Sequence, residues 1–319
     1  MANSIVGCGL YLPSRVVSNA ELVDKMQGST SDEWITSRTG IKQRHIAGNG
    51  EFSSHMALNA SLDAIADSNI DKSAIDLIIV CTTTPDNSFP STAAKLQGML
   101  GLGQIPAFDL QAVCAGFIYG LHVADSMMHS SAYKTILLVG VDRMSSLLDW
   151  DDRSTAVLFG DGAGAVILQK THDNSDIIDR LIYSDDSNHD ILYTDGSVSS
   201  SATSGVVKMV GGEVFRHAVQ KLSDVSAEML ERSKLQISEI DYFIPHQANI
   251  RIIDNVATKL GIDADKVVKT VDHHANCSAA SVPMALAELK KSGRLKKGDL
   301  ILSAAIGAGL TWGAALFRW

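Results

Sequence analysis

Cysteine is scarce in this 319-residue chain: there are four, Cys8, Cys81, Cys114 and Cys277. None forms a C-x-x-C pair and none is grouped with histidines at zinc spacing, which excludes a disulfide framework and a zinc ribbon. Scattered single cysteines read as reduced and intracellular. No block of lysine and arginine stands out against the net charge of −9, which argues against a nucleic-acid binder. The N-terminus has neither a basic n-region nor a long apolar h-region, so the expectation is a cytoplasmic protein without a signal peptide. The charge-free stretch Leu300 to Phe317 is long enough to span a membrane, but it holds three glycines, a serine and a threonine. It is expected to form two buried strands joined by a glycine turn.

What is present is an ordinary globular composition, 45% hydrophobic and 20% charged, over a length that favours two domains or halves. Short apolar runs read as buried strands at Asp76, Lys134, Thr155 ("TAVLF"), Ala163, Asp299 and Gly313. Helical patterns such as "STAAKLQGMLGL" and "EVFRHAVQKLSDVSAEMLERSK" lie among them. The alternation predicts an α/β protein with mostly buried sheets. A weak internal repeat is visible. "IDLIIVCTTTPDN" resembles "IDYFIPHQAN", and "FDLQAVCAGFIYGL" corresponds to "KTVDHHANCSAASVPMAL", each followed by a strand. The halves divide near Thr171 to Asp176, giving 1–172 and 173–319. The polar stretch Ser184 to Gly205 reads as a surface excursion over a site.

Three residues fall at equivalent turns of that repeat. Cys114 follows a strand and begins a helix, where the dipole and free N–H groups favour a reactive thiolate. His246 ("PHQAN") lies beyond a strand, and Asn276 ("HHANCSAAS") lies in the same kind of turn. Each has a plain alternative: a buried core cysteine, a surface histidine, a helix N-cap. The glycine-rich "FGDGAGA" (Phe159 to Ala165) leads into a strand rather than a helix, so it is not a dinucleotide fingerprint. "IGAGLTWG" (Ile306 to Gly313) supplies glycines either for an oxyanion or for a bend.

Together with "SDEWITSRTGI", "NSFPSTAAKLQ", "CAGF", "NCSAASVP" and "GLTWGAALFRW", these motifs make the chain resemble the 3-oxoacyl-[acyl-carrier-protein] synthase III family from end to end. The resemblance implies the thiolase fold: two pseudo-symmetric halves, each with a five-stranded mixed sheet, layered α-β-α-β-α. It implies that Cys114 accepts an acyl group, with His246 and Asn276 completing a triad. It further implies that Trp34, Arg38 and Arg153 hold coenzyme A, that Phe89 closes the acyl pocket of the partner in a homodimer, and that Gly309 forms the oxyanion hole with the Cys114 N–H. The chain departs from the family at Ala308 and Ala275, each where glycine is common, and at Cys277, where threonine is common.

The implied reaction is a decarboxylative Claisen condensation of a short acyl-CoA with malonyl-ACP, initiating fatty-acid synthesis with no metal or redox cofactor and no membrane or nucleic-acid partner. Because the carrier protein is acidic, a basic patch is expected, and Arg216, Arg251 and Lys259 lie on the two helices where it would sit. The alternatives are another condensing enzyme that uses CoA, a papain-like hydrolase (whose local cysteine signature is absent) and a CoA-binding scaffold without activity. The primer acyl chain is not legible.

Overall fold

The computed structural model describes residues 2–130, 132–172 and 176–319. In the first half, β1 (Ala2–Tyr11) is followed by a hairpin of β2 (Arg15–Ser18) and β3 (Gln43–Ile46) that encloses α1 (Asn19–Lys25) and α2 (Asp32–Thr39). Then come α3 (Ser53–Ser68), β4 (Leu77–Cys81), α4 (Thr92–Leu100), β5 (Ala107–Leu110), α5 (Gly116–His129), β6 (Thr135–Arg143), α6 (Arg153–Ala156) and β7 (Asp161–Thr171). The second half runs β8 (Asp176–Ser184), the hairpin β9 (Leu192–Thr194) and β10 (Val207–Met209), α7 (Gly211–Ser233), β11 (Tyr242–Pro245) and α8 (Ile250–Leu260). It closes with α9 (Val271–His274), α10 (Ser281–Lys291), β12 (Leu300–Gly307) and β13 (Thr311–Arg318). Residues 173–175, inside the expected boundary, lie outside the described residues.

Besides the two two-stranded hairpins, the described residues form two larger sheets, in the orders β1-β7-β6-β4-β5 and β11-β12-β13-β8. Strands β5, β4 and β6 are parallel, with β7 and β1 antiparallel. In the second sheet β11 and β12 are parallel, with β13 and β8 antiparallel. The order repeats, but the second sheet's fifth position, opposite β5, is reduced to one parallel bridge between Phe243 and Val267.

Strand periodicity sorts the core into layers. Leu77, Ile79 and Cys81 of β4 face a central core with Phe117, Leu121 and Met128 of α5 and Val282, Leu286 and Leu289 of α10. Ile78 and Val80 turn the other way, onto Met56, Ala60, Leu96 and Leu100 of α3 and α4. Leu302 and Ala304 of β12 likewise pack on Leu222, Met229, Ile253 and Val256 of α7 and α8. The layers are therefore α-β-α-β-α, with α5 and α10 between the sheets.

The run Leu300 to Phe317 forms β12 and β13, as expected. Among the described residues no helix is long and apolar enough to cross a membrane. The run at Thr155 corrects the sequence reading. Asp152 caps a helical turn there, accepting from Ser154 N at 2.8 Å, and only Phe159 pairs, in a single bridge with Asn276. Capping chemistry outweighs the β-branched composition.

Candidate active site

The chain leaves β5 and turns through a 3-10 segment, Val113–Ala115, into α5. Cys114 is buried in that turn, two residues before the helix. Gly307, the last residue of β12, lies against it. A Cβ at Gly307 would stand 2.8 Å from both the Ala112 carbonyl oxygen and the Cys114 amide nitrogen, so only glycine allows the approach. Thr311 Oγ1 of β13 donates to the Ala112 carbonyl at 3.0 Å and staples the same turn.

Burial works against the thiolate that the helix N-terminus favours. Burial, the largest influence, pushes the Cys114 thiol up to about 12, against a lowering contact from Ser278. The other cysteines are also free and buried. Cys277 points into the core with Ala280 and Met284, its Sγ 3.3 Å from the His274 carbonyl.

His246 follows β11 directly, and its N–H donates to Ala304 O of β12 at 2.8 Å. It is buried, and burial pulls it down to about 4, so the imidazole is neutral. Asn276 is held by backbone bonds from the first half: its N–H donates to Leu158 O and its carbonyl accepts from Gly160 N, both at 3.0 Å. Its side-chain Oδ1 accepts from Ser278 N at 2.9 Å. That bond commits the amide oxygen and leaves the Nδ2 hydrogens as the free donors.

Gln247, which the sequence reading passed over, ties these two loops together. It is fully buried, and Nε2 donates to Pro245 O at 2.8 Å and Val268 O at 3.1 Å. Its Oε1 accepts from Thr270 N at 2.8 Å and Val271 N at 3.2 Å. One side chain thus replaces the pairing that a fifth strand would supply. The signal available was a glutamine between a strand end and a helix cap.

A cavity of about 1330 Å³ opens on Cys114 and is lined by Thr82, Gln111, Leu147, Phe159, Ala308 and Gly309, among others. The excursion from Ser184 to Gly205 walls one side through His189, Leu192, Tyr193 and Val198. His246 and Asn276 are not among the residues that line it. Gly309 takes φ 136°, which favours glycine, whereas Ala308 is not among the residues at positive φ. Ala275 differs: at φ 60° and ψ −164° it occupies a region proper to glycine.

The remaining expected residues fall into separate groups. The Arg153 guanidinium lies over the Trp34 ring at 4.9 Å, with Nη1 donating to Ser29 O at 2.6 Å. Arg38 is exposed one turn further along α2, and its carbonyl accepts from Asn249, the cap of α8, at 3.2 Å. Phe89 is 86% exposed and outside the lining of its own chain's cavity, although Asp86 to Ser88 contribute to that lining. Arg251 lies over Phe215 at 5.3 Å, near Arg216, which pairs with Glu213. Lys259 is two turns away from Arg251, bonded to Gln220 Oε1 at 2.8 Å and 3.7 Å from Asp224.

Among the described residues one group has three potential metal-ligand atoms within 4.8 Å of one another: His273, His274 and Glu288. Both histidines place Nε2 2.9 Å from Glu288 Oε2, so the carboxylate already holds both rings. The Glu288 bond, with Asp272 on the other ring nitrogen, raises His273 to about 9. Hydrogen bonds from the two histidines hold Glu288 down at about 2, against the burial that would raise it.

Comparison with known proteins agrees with this architecture. The family model "3-Oxoacyl-[acyl-carrier-protein (ACP)] synthase III" matches residues 108–186, and its C-terminal companion matches residues 230–319. The chain is 60% identical over 320 residues to the beta-ketoacyl-[acyl-carrier-protein] synthase III of Rickettsia rickettsii, covering all of both chains. Among solved structures it is similar to 3-oxoacyl-[acyl-carrier-protein] synthase III from Aquifex aeolicus, with TM-score 0.94, 44% identity and coverage of 99% of this chain and 100% of that one. It is also similar to the priming beta-ketosynthase of the R1128 polyketide pathway, with TM-score 0.93, 33% identity and coverage of 99% and 96%.

Proposed function

The chain belongs to the 3-oxoacyl-[acyl-carrier-protein] synthase III family, and on that premise we propose how its residues carry out the condensation of a short acyl-CoA with malonyl-ACP. Cys114 sulfur attacks the acyl-CoA carbonyl, the carbon–sulfur bond to coenzyme A breaks, and an acyl-cysteine remains. The oxyanion of that step is met by the N–H groups of Cys114 and Gly309. Malonyl-ACP then enters, and its thioester oxygen accepts from His246 and Asn276 as carbon dioxide leaves. The resulting carbanion attacks the acyl-cysteine and releases 3-oxoacyl-ACP.

Two features favour these donor roles. The His246 Nδ1 is buried without a partner, so a proton there would be stranded and Nε2 is the better site for it. A neutral imidazole then donates without carrying charge into the pocket. The observation that carries the reading is the commitment of Asn276 Oδ1 to Ser278 N, which leaves the amide's Nδ2 hydrogens to donate. Thioester exchange and decarboxylation through these groups call for no metal or redox cofactor.

Trp34 and Arg153 are suited to an adenine, with Arg38 for phosphate. An exposed Phe89 is suited to closing the cavity of a partner subunit in a homodimer, with 1–172 and 173–319 as the two halves of each protomer. The acidic carrier protein docks on Arg251 and Arg216, with Lys259 as a more distant, partly neutralised contact. Cytoplasmic placement follows from soluble substrates of this kind.

The test is intact-mass analysis after incubation with a panel of acyl-CoAs, followed by peptide mapping. One acyl adduct per chain on Cys114, absent in Cys114→Ala, is expected. The preferred adduct mass separates a fatty-acid primer from a polyketide starter. An adduct on Cys277 or on no cysteine would contradict the reading.

A further inference from the structure

One cluster of ligating side chains stands apart from the condensation. His273 and His274 close the single-turn helix α9, and Glu288 stands on α10. None of the three lines the cavity on Cys114. Between the two helices runs the turn that carries Asn276, two residues after His274. Successive residues on a helix point about 100° apart. Here the helix ends after one turn, and both rings converge on the same carboxylate.

The spacing is close to that of a metal's ligand shell. One ligand atom from each residue lies within 4.8 Å of the other two. Both Nε2 atoms stand 2.9 Å from Glu288 Oε2, and the rings meet edge to face with centroids 4.3 Å apart. Metal–nitrogen bonds of about 2.0–2.1 Å at tetrahedral angles set ligand atoms about 3.4 Å apart. Each nitrogen–oxygen edge therefore has to open by only about 0.5 Å. The His273 and Glu288 side chains are 38% and 37% exposed, so both have room for that movement.

The surroundings also suit a cation. His273 Nδ1 lies 2.7 Å from Asp272 Oδ1, which leaves Nε2 as the ring's ligand atom. Metal-binding histidines commonly donate their other ring N–H to a carboxylate in this way, which fixes tautomer and orientation. Glu288 and Asp272 bring two negative charges, and Lys42 lies 3.6 Å from the second Asp272 oxygen. The neighbouring lysines of α10, Lys290 and Lys291, are engaged elsewhere, by Asp67 and Asp63 of α3. His274 is buried and its Nδ1 has no hydrogen-bond partner, so that nitrogen is free to carry the ring's proton.

We propose that His273, His274 and Glu288 bind a divalent transition-metal ion of the zinc class, which ties α9 to α10 across the Asn276 turn. Two imidazoles and one carboxylate suit zinc, whereas magnesium takes an all-oxygen shell. Three protein ligands leave a fourth position for water. On binding, His273 yields its Nε2 proton to solvent and keeps Nδ1–H on Asp272, while His274 carries its proton on Nδ1 instead of Nε2. An unpaired N–H in that buried place weakens binding, so the affinity is micromolar, below that of a structural zinc centre. The ion steadies the turn from both ends and touches no reacting group.

The experiment is calorimetric titration of the full chain, stripped with EDTA, with zinc chloride, alongside thermal melts in zinc, in magnesium and in EDTA. Wild type, His273→Gln and Glu288→Gln are compared, and the EDTA melts show that each variant is folded. Wild type should bind one zinc per chain, and its melting temperature should rise by about 5 °C once zinc exceeds the Kd about 100-fold. Magnesium at the same concentration should leave the melt unchanged. Each variant should bind zinc at least about 10-fold more weakly and lose most of the shift. If Glu288→Gln does not fold, His273→Gln decides alone. Absence of saturable binding, or an equal shift with magnesium, would overturn the site. Wild-type affinity in the variants would overturn it too, and would place the zinc elsewhere, for example on Cys114 and His246.

Discussion

In the first half the chain passes through Ala112 at φ −145° and ψ 33°, Val113 at φ 49° and a 3-10 turn into Gly116 and α5. In the second half it passes through Cys277 at φ −97° and ψ 31°, Ser278 at φ 49° and a 3-10 turn into Ser281 and α10. The turns meet face to face: a Cβ on Gly116 would stand 3.3 Å from the Ala279 Cβ. Residue for residue, Cys114 corresponds to Ala279. One backbone device therefore serves both halves. In the first it presents a sulfur; in the second its apex is a methyl group, and the polar groups sit upstream, at Asn276 and Ser278. A duplicated turn thus fixes relative geometry, while its side chains divide the chemistry.

The comparison can be broken most severely at Gly307→Ala. The added Cβ collides with backbone atoms of the Cys114 turn, not with a flexible side chain, so the turn itself must move. Acyl loading, followed by adduct mass against time, should fall about 100-fold, since misplacing a reacting group by about 1 Å costs that much. The Asn276 turn should be spared. Gln247→Ala attacks the other side. It strands the Thr270 and Val271 amides in the core, at about 1–3 kcal/mol for each unpaired group. A clear drop in melting temperature is expected, together with slower malonyl-ACP decarboxylation and nearly normal loading.

These two residues also show where sequence reading stops. Cys114, His246 and Asn276 stand out because their turns repeat in the sequence. Strands β4 and β12 stand out because they are buried on both faces. Gly307 and Gln247 matter through contacts with backbone distant in the chain, which no local pattern encodes. The same is true of the second sheet's fifth position, where one glutamine stands in for a strand, and of the burial that opposes ionisation of Cys114. The family's common glycines were informative in opposite ways: Ala308 stands at an ordinary φ, Ala275 at a glycine-like one.

A smaller effect should be visible at α9, which introduces the Asn276 turn. His273 is raised in the folded state by Glu288 and Asp272, so its contribution is complete below its unfolded value near 6.5 and is lost as pH rises through about 9. Melting temperature should therefore decline between those limits, and His273→Gln should flatten that decline. A wild-type curve identical to that of the variant would remove the anchor from the account. Smallest of all, Ala275→Gly should relieve the glycine-like backbone beside Asn276 and stabilise the protein by about 1 kcal/mol, read from denaturant midpoints. A loss of stability there would mean that the Ala275 methyl contributes more by packing than it costs in strain.

The division of labour between the two turns is tested most directly by measuring both half-reactions in Asn276→Ala. The variant should form the Cys114 acyl adduct from acyl-CoA at a rate close to wild type. It should then release carbon dioxide from malonyl-ACP on the order of 100-fold more slowly, as expected when a donor to developing enolate charge is removed. Slow loading with wild-type decarboxylation would contradict the account.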